Sequence, residues 1–365
     1  MKIKNIALLF ILAFSIGSLA AGGEVLVFRG ASDASAAAAI SENLFIVADD
    51  ENNILRVYDV NKPGLPVFSF DLTKFLNIEP EHPEADIEGA TKIGRRIYWI
   101  TSHGRNKDGK MRPNRYRFFA TDVKIENANV TIDPEGKPYS KLAQRLIEAA
   151  DMRPLKLDKA TRFGVALAKK QREKLAPKKD GLNIEALCAS ADGKTIYIGF
   201  RNPRPVDKSG RHEALVVPLN NPSGVIDSNE APVFGEPILW DLKGAGIRSM
   251  EYSEFHKAYF IIAGAFDEAA MFTLYRWSGQ KDEQPEFIQE LSQSSFSPEA
   301  MVLFKDSGRI LLLSDDGSLP VKVAGPHECM EDEYRKDGTC PNKYLLDSKR
   351  KTFRGIWLVL RRKSL

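Results

Sequence analysis

The chain has 365 residues, of which 43% are hydrophobic, and its formal net charge is +3. The net charge would fall to +1 if an N-terminal segment with Lys2 and Lys4 were cleaved off, because residues 1–20 contain no other charged side chain. A nearly neutral chain gives no support to a nucleic-acid-binding function, which normally shows a basic surface. This length and composition can bury one large β domain or two smaller ones.

The N-terminus predicts a secretory signal peptide. Lys2 and Lys4 precede an apolar run over 6–16, and small residues follow at 18–21. This is the order of a basic region, a short apolar region and a cleavage site. The run is too short to span a bilayer, and no later segment has the ~18 consecutive apolar residues of a membrane helix. We expect a signal peptide over 1–21 and a periplasmic or secreted mature protein.

Five segments then share one pattern. Each begins with an acidic residue or a run of small residues, continues with a turn, and ends with a β-branched or aromatic run followed by polar residues. Each predicts a two-stranded hairpin. The segments are anchored on acidic residues, namely Asp33, Glu88, Glu185, Glu251 and Glu299, and the spacings between these anchors are 55, 97, 66 and 48 residues. The shorter spacings approach the length of a four-stranded propeller blade, and the longer ones require insertions.

The chain termini predict how the ring closes. Two further apolar strands follow each of the first four hairpins, but the fifth is followed by only one, over 355–360. The run over 24–29 can supply the missing outer strand, which would remove an open sheet edge. The sequence therefore predicts an all-β, five-bladed β-propeller over 22–365, closed by N- and C-terminal strands in one blade.

Two segments interrupt the pattern. Between blades two and three, residues 139–179 predict a helical insertion with Ser140 and Asp158 as helix caps. The polar segment 318–351 carries Cys329 and Cys340, which we expect to form a disulfide in an exported protein. Cys188 lies in an apolar strand and is expected to be a buried free thiol.

The acidic anchors predict a site at one mouth of the central channel, because the innermost strands of a propeller run in the same direction. The second strands return to that mouth and end near Asp49 and Asp50, His103 and Arg105, Arg201, and Asp315. Carboxylates held together raise one another's pKa, so they need a cation, arginine partners such as Arg201 and Arg248, or shared protons.

Oxygen ligands around a channel suit Ca²⁺ or Mg²⁺. The predicted metal ligands are the five anchors: Asp33, Glu88, Glu185, Glu251 and Glu299. The alternative is structural, since acidic residues at strand starts often accept backbone N–H bonds from the neighbouring blade. For His103 the alternative is a surface-loop residue without a chemical role.

Four short runs carry a resemblance to a known family. They are Asp-Ile-Glu-Gly-Ala at 86–90, Leu-Asn-Ile-Glu-Ala at 182–186, Gly-Phe-Arg-Asn-Pro at 199–203 and Ser-Pro-Glu-Ala at 297–300. They resemble a family of exported bacterial β-propeller proteins catalogued as a domain of unknown function, over essentially the whole mature chain. More loosely, they are similar to the esterase-like domain found with some phytases, which implies hydrolysis of an ester or phosphoester.

Two classes of function remain open at this point. In the first, a metal-assisted hydrolase cleaves a phosphoester or another ester, with Arg105, Arg201 and Arg248 binding the anionic substrate and Glu185 or His103 transferring protons. A glycosidase variant would use two of the carboxylates. In the second, a non-catalytic periplasmic propeller binds a ligand or a protein. The expected partner is a small anionic molecule or a protein, with no nucleic acid and no membrane span, and the expected state is a monomer.

Overall fold

The computed structural model describes residues 24–127, 129–267, 269, 271–291 and 296–360. In this part of the chain, five four-stranded antiparallel sheets form a five-bladed β-propeller, which confirms the predicted fold class. The inner strands of the five sheets contact one another in a closed cycle. The predicted signal peptide over 1–21 lies outside the described residues.

The first strand of the chain, β1 (Val25–Arg29), belongs to the last blade, and the other blades follow in chain order from the inner strand outward. The strands of blade 1 are β2 (Ala36–Ala39), β3 (Leu44–Ala48), β4 (Ile54–Asp59) and β5 (Phe68–Asp71); those of blade 2 are β6 (Ile87–Ile93), β7 (Arg96–Thr101), β8 (Phe118–Glu126) and β9 (Asn129–Tyr139). The strands of blade 3 are β10 (Asn183–Ala189), β11 (Ile196–Asn202), β12 (Ala214–Leu219) and β13 (Ile238–Trp240); those of blade 4 are β14 (Gly246–Ser253), β15 (Ala258–Gly264), β16 (Phe272–Trp277) and β17 (Glu286–Glu290).

Blade 5 closes the ring with strands from both ends of the chain. It consists of β18 (Pro298–Leu303), β19 (Arg309–Ser314), β22 (Thr352–Val359) and β1. β1 pairs antiparallel with β22, placing Val25 opposite Ile356 and Arg29 opposite Thr352. The Phe28 ring stacks on Phe353, with ring centroids 5.1 Å apart. The N-terminal strand is therefore the outer strand of blade 5, as predicted.

The hydrophobic core is divided among the five blade junctions. Each cluster of buried side chains draws its members from two neighbouring blades, for example Ile46 and Trp99 between blades 1 and 2. Middle strands are covered on both faces, so β15 is buried along its whole length. Both faces therefore need apolar residues, which explains why these strands appear in the sequence as continuous apolar runs.

Three short helices lie between β9 and β10, inside the predicted insertion: α1 (Leu142–Glu148), α2 (Leu157–Thr161) and α3 (Lys169–Glu173). The predicted caps are wrong. Lys141 occupies the N-cap position of α1 without a side-chain hydrogen bond, and Asp158 lies inside α2, while Ala168 is the N-cap of α3, which overlaps the helix that Asp158 was expected to cap. Packing holds α1 instead, through Leu142 and Leu146 in the core between blades 2 and 3. A fourth helix, α4 (Pro222–Ser228), lies between β12 and β13 and was not predicted.

The segment over 318–351 folds against blade 5. Its two short strands, β20 (Pro320–Lys322) and β21 (Thr339–Pro341), pair antiparallel, and Cys329 is bonded to Cys340 while Cys188 is free and buried. The Asn342 amide donates to the Asp316 carbonyl, at 3.1 Å, and to the Thr352 carbonyl. Both cysteine predictions are confirmed. Among the described residues, no helix has the length and apolar character needed to cross a membrane.

Candidate metal site at the propeller mouth

A β-bulge near the start of the inner strand sets the position of the side chains at the mouth. In blades 2, 3 and 5 the strand register shifts around one residue, namely Glu88, Glu185 and Glu299. A bulged residue has no direct cross-strand partner and its side chain is re-aimed. The recurrent acidic position of the sequence is thus a recurrent bulge.

Blade 4 has the same bulge, but it holds Arg248 and not an acid. The register shift in β14 falls between Ile247 and Ser249. The prediction that Glu251 occupies the common register position is therefore wrong, because it lies three residues further along the strand. That is about 10 Å at the usual rise of a strand. Counted from the bulge, the equivalent residue of blade 3 is Cys188.

Glu251 occupies a separate environment further along the narrow channel. It lines a channel cavity of about 10 Å³ together with Glu88 and Glu185. Burial raises the pKa of Glu251 to about 8, and the charge of Lys92 opposes that rise. Within the described chain, Glu251 forms neither an ion pair nor a hydrogen bond through its side chain.

The bulge residues of blades 3, 4 and 5 form a network of charge pairs. Arg248 Nε lies 3.0 Å from Glu185 Oε2, and Arg248 Nη2 pairs with Glu299. Arg201 donates through Nη1 to Glu185 Oε1, at 3.0 Å, and through Nε to the Phe266 carbonyl. The Asn183 amide also donates to Glu185 Oε1, at 2.6 Å. We call this network the paired half of the mouth.

Blades 5, 1 and 2 form the other side of the mouth, which we call the acidic half. Its first triad consists of Asp33, which precedes β2, Glu299, and Asp315, which follows β19. One carboxylate oxygen from each of the three lies within 4.8 Å of the other two. Asp33 is only 4% exposed, and its Oδ1 is buried without a hydrogen-bond partner. Burial, and then the charge of Asp315, holds the Asp33 pKa well above its usual value.

The second triad lies one blade junction away. Asp50 follows β3, and Asp86 and Glu88 lie at the start of β6; one oxygen from each is again within 4.8 Å of the others. Arg115 Nη1 contacts Asp86 at 3.0 Å, but Asp50 and Glu88 form no ion pair with a described residue. Burial holds the pKa values of Asp50 and Glu88 well above their usual range, with Glu51 adding to the first and Asp86 to the second.

Sequence reasoning placed Asp50 and Asp315 near the mouth without assigning them as ligands, and it gave Asp86 no role. Their shared signal is position, since each stands immediately outside a strand that begins or ends at the mouth. Asp86 also has a φ of +63°, which is uncommon outside glycine and concentrates at functional sites. The neighbouring acids serve the fold: Asp49 accepts the Ser32 and Glu51 N–H groups, and Asp316 pairs with Arg354 at 2.7 Å.

His103 and Arg105 do not join the carboxylates. His103 is fully buried, its Nδ1 bonds the Thr101 carbonyl at 2.8 Å, and burial lowers its pKa to about 4. The Arg105 guanidinium donates to the carbonyls of Gly109 and Thr161, at 3.0 and 2.9 Å. His103 is therefore neither surface-exposed nor open to the mouth, and Arg105 ties its own loop to α2.

Fold and site together define a five-bladed propeller whose mouth is acidic on one side and charge-paired on the other. The chain belongs to the family described as Protein of unknown function (DUF3616), whose model matches residues 33–304. This confirms the predicted membership in a domain family of unknown function. A comparison with curated proteins finds no match, and the likeness to the esterase-like domain of phytases stays a prediction.

Solved structures with similar folds are distant in sequence. The dihydro-heme d1 dehydrogenase NirN in complex with DHE is 14% identical, with a TM-score of 0.29, over 76% of this chain and 40% of that one. Hydrazine synthase of Kuenenia stuttgartiensis is 12% identical, with a TM-score of 0.36, over 81% of this chain and 60% of that one. The β-propeller domain of Myceliophteria thermophila Cps50 (Swd1) is 9% identical, with a TM-score of 0.34, over 92% of this chain and 100% of that one. The chain thus spans less than two thirds of the first two proteins.

Proposed function

We propose that this protein is an exported hydrolase that binds a divalent cation, Ca²⁺ or Mg²⁺, in the acidic half of the mouth and uses it to cleave a phosphoester or another ester. One observation carries the proposal: the buried Oδ1 of Asp33 has no hydrogen-bond partner and belongs to a triad with Glu299 and Asp315. A buried carboxylate without a donor is costly. Three carboxylate oxygens at this spacing suit a hard cation.

The cation would supply the chemistry that the side chains cannot. A Ca²⁺ or Mg²⁺ ion bound there would polarise the phosphoryl or carbonyl oxygen of the substrate as a Lewis acid and would lower the pKa of a bound water. Asp33, Glu299 and Asp315 would hold the cation, and water at the mouth would supply both the oxygen that displaces the leaving alcohol and the proton that this alcohol takes up. The cation also attracts the anionic substrate, a role that Arg201 and Arg248 cannot take while they bind Glu185.

The proton carriers expected from the sequence have other partners. Both oxygens of Glu185 lie against Arg248, and Oε1 also accepts from Arg201 and Asn183. His103 is enclosed, as described above. The proposal therefore rests on cation-bound water and not on Glu185 or His103.

The proposed location is the periplasm or the extracellular space. The bonded pair Cys329 and Cys340 is typical of an oxidising compartment. Calcium sites in extracellular modules bind with dissociation constants of roughly 10⁻⁴–10⁻³ M. A half-open carboxylate triad needs no higher affinity to be filled there.

The test is hydrolysis of p-nitrophenyl phosphate, bis-p-nitrophenyl phosphate and p-nitrophenyl acetate by the mature chain with Ca²⁺, Mg²⁺ or EDTA. We expect activity with a cation, its loss in EDTA, and a fall in kcat/KM of about 100-fold in Asp33→Asn, equivalent to roughly 2.7 kcal/mol. Asp192→Asn, at an exposed turn of blade 3, is the matched control and should keep full activity. Calorimetry that detects no cation binding to the wild type would refute the proposal.

A second candidate function is a non-catalytic propeller that binds a small anionic molecule or a protein through its cation. The observation that favours it is that Arg105, Arg201 and Arg248 each already bind protein groups. Cation binding without turnover of any of the three esters would select this function over the first.

A further inference from the structure

We infer that the mouth holds two divalent cations, one in each carboxylate triad, so that Asp50, Asp86 and Glu88 form a second metal site beside Asp33, Glu299 and Asp315. This inference rests on the proposed function and extends it, because a hydrolase with one cation needs only the first triad.

The second triad meets the same distance condition as the first. In both, the three oxygens lie within 4.8 Å of one another, which is the widest separation of two oxygens bound to one cation at about 2.4 Å each. Each triad also spans a junction: the first joins blade 5 to blade 1, and the second joins blade 1 to blade 2. Two ions would therefore stabilise two neighbouring junctions with oxygen ligands from three blades.

Blade 1 connects the two triads. Asp33, which precedes β2, belongs to the first triad, and Asp50, which follows β3 of the same blade, belongs to the second. Both residues have a buried Oδ1 without a hydrogen-bond partner, and Asp33 is only 4% exposed. Each of these oxygens is therefore open to a cation, which would supply the partner that the protein does not.

The charge balance favours two ions over one. The two triads contain six carboxylates, and among described residues only Arg115 and Arg248 form ion pairs with them, at Asp86 and Glu299. Arg115 also pairs with Glu84 and Arg248 with Glu185, so at least four of the six carboxylates remain, and two divalent cations neutralise four charges where one neutralises two.

Isothermal titration of the mature chain with CaCl₂ and with MgCl₂ tests the inference. We expect two equivalents in the wild type, one in Asp315→Asn, one in Asp50→Asn, none in the double variant and two in the control Asp192→Asn. Melting in EDTA checks that the variants fold, which we expect because each substitution removes a repelling charge.

The outcomes separate the inference from the proposed function. One equivalent that Asp315→Asn abolishes and Asp50→Asn leaves intact overturns the second site but keeps the hydrolase; no binding overturns both. If a variant does not fold, anomalous scattering from wild-type crystals soaked in MnCl₂ decides. A peak in each triad supports the inference, and a single peak overturns it.

Discussion

The acidic half and the paired half of the mouth are built on the same backbone device and have opposite electrostatics. Glu88 and Glu185 occupy equivalent bulges of blades 2 and 3. Glu185 accepts from two arginines, whereas Glu88 faces Asp86 and Asp50. The bulge determines where a carboxylate lies, and its neighbours on the adjacent blades determine whether it is neutralised within the protein or needs a cation.

Arg248 marks the boundary between the two halves, because it binds Glu185 on one side and Glu299, a member of the first triad, on the other. Its position in the ring is the one where blade 4 departs from the acidic pattern. Arg248 therefore pairs with acids of the two blades beside its own, blades 3 and 5, and forms no ion pair with the other carboxylates of the two triads. Arg201, which also pairs with Glu185, adds to the charge asymmetry of the mouth.

Replacing Arg248 should produce the largest effect, since it would extend the acidic half around the ring. Arg248→Met removes the partner of two largely buried carboxylates. Breaking a buried pair from one side typically costs about 3–5 kcal/mol, and we expect a loss of this size in urea unfolding at pH 7 without added metal.

The double variant Arg248→Met/Glu185→Gln is the control for this prediction. It removes one of the two stranded charges, so part of the lost stability should return, with a coupling energy of at least about 1 kcal/mol. Additive losses in the double variant would mean that the two residues do not act as a pair.

The next prediction compares the same substitution at equivalent positions of the two halves. Glu185→Gln should lower the free energy of unfolding by about 2 kcal/mol, because hydrogen bonds to charged groups are lost and two arginines keep their charge. Glu88→Gln should raise it by on the order of 1 kcal/mol in the metal-free protein, because a repelling charge disappears. Urea unfolding in EDTA at pH 7 measures both, and changes of equal sign would remove the distinction between the halves.

The fold could be predicted to a large extent because its signals are local. Apolar runs, their spacing and the unpaired strands at the two chain ends gave five blades and their closure. The helices were predicted less well, since Ser140 and Asp158 have the right chemistry for caps but α1 is held by the burial of Leu142 and Leu146. The Asn-Pro-Ser-Gly sequence at the start of α4 is typical of a turn, so no helix was predicted there. The helix is stabilised by the burial of Val225 and Ile226.

The site could be predicted only in part because a bulge is not visible in the sequence. Arg248 and Glu251 lie in the same strand. Because the sequence analysis aligned blade 4 on Glu251 and not on Arg248, its predicted register was wrong by three residues. The acidic residues that follow strands at the mouth, such as Asp50 and Asp315, were placed at the correct end of the channel. Which junction each one joins depends on the packing of neighbouring blades, which no local pattern records.

The smallest predicted effect concerns Glu251, which belongs to neither half and so provides a reference for both. Its pKa of about 8 in the folded protein lies above the ordinary value of 4.5, so between these values the native state binds the proton more strongly than the unfolded state. Stability then falls as pH rises from 4.5 to 8 and changes no further above 8. Glu251→Gln should therefore match the stability of the wild type at pH 4 and exceed it at pH 8 by on the order of 1 kcal/mol, because Glu251 is only partly buried and contact with water reduces the effect of the raised pKa on stability. Added Ca²⁺ should leave this difference unchanged, whereas it should reverse the gain from Glu88→Gln. Thermal melts at the two pH values, with and without CaCl₂, measure both, and a Ca²⁺-dependent difference at Glu251 would place it in the metal site after all.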